Sequence, residues 1–383
     1  MSHRSWTVSP RAWLSLRFLT FFVSWAVFQS YWGLWMASRG FAPIEIGTAV
    51  AGSLVGRAIG VGVLYPWLNR HATLLRLARV LPWLIVAAAL PYLFVNGFGM
   101  LVAVSIVFGV TYPLLLPLNE TIATSAARQG LLQYGPTRSL GSFGFMLGTV
   151  AAGWLVSGLG AGVLTGSLIA ACLLTAVTGL LPVAASSALE VRGTGISGVG
   201  TLIRRRAFVA CLVAASIIQG SHAAYYSFGA IRASELVSPV LVPLVLVLAP
   251  VSEFVMFASA RRRVESVGVR TLLVAGAAIA AGRWAALAVL ADGWGFAFSQ
   301  ILHAGSYAAT HLAFNMFVRD QIDPSEHAAA QGLYASVAMG LAMAMFTFVA
   351  GLVAPAGLGA AFAVMSAVAL CGILVAPFVR STR

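Results

Sequence analysis

The chain has 383 residues, of which 60% are hydrophobic and only 9% charged, and its mean hydropathy is +0.94. A water-facing domain carries about 25% charged residues, so this surface cannot face water and the chain must cross a membrane many times. The net charge of +13 resides in 23 arginines scattered between apolar runs. With no basic domain among them, a nucleic-acid partner is excluded.

A helix crosses hydrocarbon in about 20 residues, and hydropathy windows of about that length predict twelve spans. The first six fall near 13–37, 44–68, 76–95, 99–124, 138–158 and 161–184. The second six fall near 207–231, 238–260, 270–291, 294–318, 328–352 and 355–378. Tight turns such as NGFG at 96–99, SGLGAG at 157–162 and DGWG at 292–295 join neighbours. The N-terminal MSHRSWTVSPRAWLSLR runs into the first apolar segment without a small-residue cleavage site, so it reads as a retained first helix. Cys172, Cys211 and Cys371 all lie in apolar runs and fit neither a disulfide framework nor a metal site.

Arginine placement orients these spans. With the N-terminus in the cytoplasm, the inner segments hold Arg4, Arg11, Arg17, Arg70, Arg76, Arg79, Arg128, Arg138 and Arg192. They also hold 204–206, 261–263, Arg270, Arg319, Arg380 and Arg383, whereas the outer face keeps Arg39 and Arg232. This is the positive-inside bias, and it puts both termini in the cytoplasm. Topology also accounts for the RRR runs without a ligand. The longest polar stretch, 185–206, divides the chain into bundles at 1–184 and 207–383. VNGFG at 95–99 and ADGWG at 291–295 recur 196 positions apart, and Tyr31-Trp32 and Tyr225-Tyr226 recur 194 apart. Two parallel six-helix halves mark one large transporter class.

Ionisable groups within the spans are costly and mark function. They are Arg57 on the second helix, Glu120 on the fourth, Arg138 opening the fifth, His222 on the seventh, Glu253 on the eighth, Arg283 on the ninth, and His303 and His311 on the tenth. An arginine at the bilayer centre costs about 2.5–3.5 kcal/mol on the mildest scale, so Arg57 and Arg283 must face a cavity or a carboxylate. Glu120 and Glu253 are the only deep acids, which leaves positive charge over for an anionic substrate. Interhelical pairing is the rival reading for the arginines, as neutral hydrogen bonding is for the histidines. A metal site is not indicated, because His303 and His311 are eight residues apart with no third ligand at ligand spacing. Tyr31, Trp32, Tyr225 and Tyr226 fit either an interfacial belt or the aromatic wall of a substrate cavity. No P-loop and no nucleophile–base set is present, so neither an ATP-driven pump nor an enzyme is expected.

Several stretches together resemble the major facilitator superfamily over the whole chain, and most closely its phenylpropionate permease group. They are IIQGSHAAYYSFGAI (217–231), GRWAALAVLADGWGFAFSQILHAG (282–305), QGLYASVAMG (331–340), YGPTRSLGSFGF (134–145) and EIGTAVAGSLVGRAIG (45–60). The resemblance implies twelve helices in two bundles, alternating access, and proton-coupled import of an aromatic acid such as 3-phenylpropionate. It also implies a monomer in the bacterial inner membrane that needs no cofactor beyond the proton. The more distant lactose permease relatives use a helix-four acid and a helix-five arginine for substrate, matched here by Glu120 and Arg138. Their proton machinery is matched by Glu253, Arg283 and one of His303 or His311. Two departures weigh against a sugar: Ser306 and Phe314 stand where an acid would follow the histidine, and Phe145 replaces the stacking tryptophan. The loop after the second helix, NRHATLLRLAR, also lacks the family's aspartate. The expected site thus has Arg57 or Arg138 on the substrate carboxylate, aromatic rings and His222 around it, and Glu253 on the coupled proton. A sugar or nucleoside symporter and a drug exporter remain as alternatives.

Overall fold

A computed structural model describes residues 7–184 and 198–379, with backbone alone at 259–262. Arg4, Arg192, Arg380, Arg383 and most of the expected linker lie outside the described residues. Among them the structure is helical, apart from one parallel bridge between Val8 and Val183. That bridge places the start of the chain at the same end as the close of the sixth helix.

Ten helices are long and apolar enough to span a membrane: α1 (Pro10–Ser38), α2 (Pro43–His71), α3 (Leu74–Phe94), α4 (Phe98–Arg128), α5 (Tyr134–Leu159), α6 (Val163–Leu180), α7 (Arg206–Leu236), α9 (Val269–Val289), α11 (Pro324–Ala356) and α12 (Leu358–Phe378). The other two expected spans differ. The eighth, α8 (Val242–Ala258), is a shorter apolar helix. The tenth, α10, is assembled from Gly293–Ile301, a π turn at Ala304–Ala308, and Ala309–Gln321.

Local chemistry sets the boundaries. Ser9 and Thr73 accept the N–H groups of Ala12 and Arg76 at the starts of α1 and α3, satisfying donors that a helix N-terminus leaves free. Asp292 and Asp323 do the same for α10 and α11. Gly160 at φ +77° and Gly357 at φ +112° close α5 and α11, in a conformation that costs other residues steric strain. These glycines stand 197 positions apart, a further echo between the two halves.

In the first half, α1 packs on α5 and α6, α2 on α4, and α3 on α6. In the second, α9 packs on α12 and α10, and α7 on α11 and α12. The two sets meet through α1 with α7, α2 with α11, and α5 with α8. These contacts are closest at the end where α1 finishes. A methyl at Gly33 would sit 1.8 Å from the Ser227 carbonyl oxygen, one at Gly47 would sit 2.6 Å from Gly351 Cα, and one at Gly153 would sit 2.4 Å from Pro243. Large apolar side chains such as Val289, Trp294 and Leu374 point outward. A soluble protein would hide so much apolar surface, but hydrocarbon accepts it. The chain is a multi-pass membrane protein.

Candidate functional site

The first half contributes two charged elements. Arg138 Nε donates to Glu120 Oε1 at 2.5 Å, and the Tyr134 hydroxyl donates to Glu120 Oε2 at 2.7 Å. The Arg138 guanidinium also lies 4.6 Å from the Phe22 ring centroid. Gly141 makes this possible, because a methyl there would meet both Arg138 and Phe22 at 2.7 Å. Pro113 and Pro117 bring Glu120 to this position, with the helix tightening to a 3₁₀ turn at Tyr112–Leu114. Arg138 and Glu120 each retain 28% side-chain exposure.

Arg57 behaves differently. Its guanidinium lies over Trp25, 5.3 Å from the ring centroid. It has no hydrogen bond or ion pair among the described residues, and its buried Nε is left unsatisfied. A small cavity of about 30 Å³ opens beside it, lined in part by Trp25, Phe28, Gln29, Ser53 and Tyr112. The phenols of Tyr226, Tyr307 and Tyr334, all from the second half, lie within electrostatic range.

The second half holds a connected network. Glu253 Oε1 lies 2.9 Å from His303 Nε2, and Arg283 Nη1 lies 2.6 Å from His303 Nδ1. Arginine can only donate, so Nδ1 must accept and the imidazole proton must sit on Nε2, facing the Glu253 carboxylate. Arg283 also donates to Ser306 Oγ at 3.3 Å and to Gln300 Oε1 at 3.3 Å. The same reasoning orders the next contacts. His222 Nδ1 must donate to the Ile218 carbonyl at 3.0 Å, which leaves Nε2 to accept from Ser306 at 3.1 Å. Tyr225 and Trp284 flank the Arg283 charge at 4.8 and 4.4 Å. Arg283 and His222 are fully buried, whereas Glu253 keeps 26% side-chain exposure.

The structure thus brings Glu120 together with Arg138, and Glu253 together with His303, Arg283 and His222. His311 is placed apart from that chain, 3.2 Å from the Tyr334 hydroxyl, although it remains in electrostatic range of Glu253. Tyr225 and Tyr226 are part-buried beside His303, with ring centroids 5.9 and 6.4 Å from its own. Tyr31 and Trp32 are packed away: Tyr31 donates to the Thr149 carbonyl at 2.8 Å, and Trp32 stacks on Trp35 at 4.5 Å. Arg17, counted above among cytoplasmic charges, is instead fully buried. It donates to Asn119 Oδ1 at 3.0 Å and to the Ala78 carbonyl at 2.9 Å. The hydropathy window placed it too near the helix end to see this. Gln300, Ser306, Tyr307 and Tyr334 were also missed, since neutral polar groups give no charge signal. Among the described residues, no three His, Cys, Asp or Glu side chains could share a metal ion.

Charged groups placed inside membrane spans are characteristic of transport pathways, and the known proteins that the chain resembles are transporters. The model of the MFS_1-like family matches residues 12–364. The chain is 30% identical over 374 residues to the probable 3-phenylpropionic acid transporter of Escherichia coli (strain K12), covering 95% of this chain and 97% of that one. It is 25% identical to the maltose permease of Geobacillus stearothermophilus, over 74% of this chain and 72% of that one. The fold matches the nucleoside transporter NupG at a TM-score of 0.80 and 16% identity, covering 97% and 98% of the two chains. It also matches the peptide transporter POT in complex with sulfate at 0.71 and 14% identity, covering 96% and 93%. With its helices, buried charges and relatives in agreement, the chain belongs to the MFS_1-like family of the major facilitator superfamily and is a transporter, not an enzyme.

Proposed function

We propose that this protein is a proton-coupled symporter that imports a small aromatic carboxylate by alternating access. The observation that carries the reading is the Glu253–His303–Arg283 relay. It holds one accessible carboxylate, which a neutral imidazole links to a buried arginine. A carboxylate so placed titrates between a paired, charged state and a neutral one, and charges inside a membrane are the usual sites of proton relays. The similarity to a probable 3-phenylpropionic acid transporter supports the substrate class. In this reading twelve spans form two bundles, 1–184 and 207–383, both termini are cytoplasmic, and the monomer works in a bacterial inner membrane.

The Glu120–Arg138 pair favours a second reading, galactoside-type sugar symport, because its carboxylate and guanidinium suit hydroxyl groups and the chain resembles a maltose permease. Proteoliposome uptake of radiolabelled 3-phenylpropionate, with an inward proton gradient, separates the two. Accumulation that collapses with a protonophore and resists competition by sugars supports the aromatic acid. Sugar uptake with no response to 3-phenylpropionate supports the alternative.

A further inference from the structure

Of the four arginines Arg17, Arg57, Arg138 and Arg283, three are held by side-chain hydrogen bonds. Arg138 is paired with Glu120. Arg283 is held by His303, Ser306 and Gln300 and reaches Glu253 through the imidazole. Arg17 is sealed away on Asn119 and the Ala78 carbonyl. Arg57 alone of the four makes no hydrogen bond among the described residues; its Nε is buried without a partner, as are Arg17 Nη2 and Arg283 Nε, but those two guanidinium groups are held through their other nitrogens. An unmet donor in a low-dielectric setting loses far more than one in water, so the site is incomplete without an acceptor. The surroundings indicate what that acceptor is. Trp25 lies beneath the guanidinium, Tyr112 stacks on Trp25 at 5.5 Å and 21°, and Phe28 packs 5.9 Å from Tyr112. Across the interface, the Tyr307 phenol lies within electrostatic range of the same charge, and its ring stacks on His303 at 5.0 Å and 9°.

We propose that Arg57, rather than Arg138, is the carboxylate anchor of the transport site, with Tyr307 as its partner donor on the opposite half. The guanidinium fork matches the two oxygens of a carboxylate, and the Trp25–Tyr112–Phe28 surface takes an aromatic ring attached to it. An anion gripped by α2 and α10 together ties the two halves to each other, which is the differential contact that a ligand needs to shift a conformational equilibrium. Through the stacked Tyr307 and His303 rings, the same anion acts on the relay that ends at Glu253. This deepens the aromatic-acid reading and rests on it for the ring, though not for the carboxylate.

The test is equilibrium binding of 3-phenylpropionate and its neutral isostere 3-phenylpropanamide to purified protein, with thermal unfolding as the folding control. Wild type should prefer the acid. Arg57→Gln should weaken acid binding about 10- to 100-fold, the range for a hydrogen bond to a charged group, and leave the amide unchanged. Arg57→Lys, which keeps the charge without the fork, should restore part of the loss and serves if Arg57→Gln does not fold. Tyr307→Phe should weaken the acid alone, about threefold to tenfold. An acid preference that survives in Arg57→Gln but vanishes in Arg138→Gln overturns the anchor and leaves the aromatic-acid reading intact. Arg57-dependent binding of an aliphatic monocarboxylate, with 3-phenylpropionate ignored, keeps the anchor and removes the aromatic ring. Binding of neutral sugars or nucleosides with no carboxylate overturns both.

Discussion

Glu253→Gln tests the proposed coupling most directly. Arg283 occupies His303 Nδ1 at 2.6 Å, so the imidazole is neutral and points its one proton at Glu253, 2.9 Å away. His222 is neutral on similar grounds, because one nitrogen must donate to the Ile218 carbonyl and the other accepts from Ser306. The relay therefore offers a single acid to titrate, which predicts one proton per turnover. A proton moved with a monovalent carboxylate carries no net charge. One pH unit is worth 1.36 kcal/mol, so an inward gradient of one unit should accumulate substrate about tenfold. A membrane potential should add nothing. If a second proton moved, about 100 mV would contribute about 2.3 kcal/mol, a further stimulation of about 50-fold. The assay is radiolabelled uptake into proteoliposomes with valinomycin-clamped potential, corrected for the weak-acid permeation of protein-free vesicles. Glutamine keeps a carbonyl oxygen for the His303 N–H but is neutral at every pH, so it stands in for the protonated acid and cannot titrate. Glu253→Gln should therefore hold internal and external substrate equal while counterflow exchange persists. Retained accumulation in this variant, or a strong response to potential in wild type, would refute the reasoning.

Other outcomes follow from the same contacts. Arg17→Ala strands the Asn119 and Ala78 acceptors, each at a cost of about 1–3 kcal/mol; thermal unfolding in detergent should show a large loss of stability, with substrate affinity unchanged in the folded fraction. Gly47→Leu drives a side chain into the Gly351 backbone, so a cysteine introduced by Trp32→Cys should label faster from the end where α1 finishes. Ser306→Ala cuts the link between Arg283 and His222 and should lower the uptake rate more than substrate affinity. Asp323, at the start of α11, is held below the ordinary carboxylate range by hydrogen bonds from the Ser325 hydroxyl and N–H. Its folded value is the lower one, so its stabilisation is present above the unfolded value and lost as pH falls through the folded one. The difference in unfolding temperature between Asp323→Ala and wild type should shrink on acidification.

The fold was legible because lipid imposes a coarse rule: a span must satisfy its own backbone and present apolar side chains. The predicted 99–124 and 270–291 correspond to Phe98–Arg128 and Val269–Val289. Where the rule is relaxed, sequence resolution falls. The expected spans 238–260 and 294–318 proved shorter or interrupted, with π turns at Met256–Ala260 and Ala304–Ala308. One extra residue in a helical turn barely changes a hydropathy average. The charged members of the site were equally legible, because each charge in an apolar run is conspicuous. Pairing was not, since it depends on which helices become neighbours. Arg57 and Arg138 are equivalent in the sequence, yet one lies against a glutamate and the other against tryptophan. Arg17 was misplaced for a related reason, because a residue near a span's end is buried or wet according to packing that hydropathy does not encode.

The π turns connect these observations. One begins three residues after Arg57, at Gly60–Leu64, another three residues after Glu253, at Met256–Ala260, and a third directly after His303, at Ala304–Ala308. A π turn breaks the i→i−4 ladder and re-aims the side chains beside it, and such turns concentrate at functional sites. Arg57, Glu253 and His303 therefore sit beside irregular turns, whereas Arg283 stands in the regular α9 and a further π segment, Tyr334–Ala342, carries no charged residue. The end where α1 finishes, by contrast, is closed by helices in close glycine contact, with backbone at Gly33 and Gly47 and with the Pro243 and Tyr31 side chains at Gly153. Glu120, Arg138 and Glu253 keep about a quarter of their side-chain surface open. Closure at one end and irregular, accessible charge in the middle is the division that alternating access requires. The ends must part and meet as rigid surfaces, while the charged centre adjusts to whether an anion and a proton are present. An anion that bridges Arg57 and Tyr307 would act at two of these irregular points together, so the binding step and the closing step would share one contact.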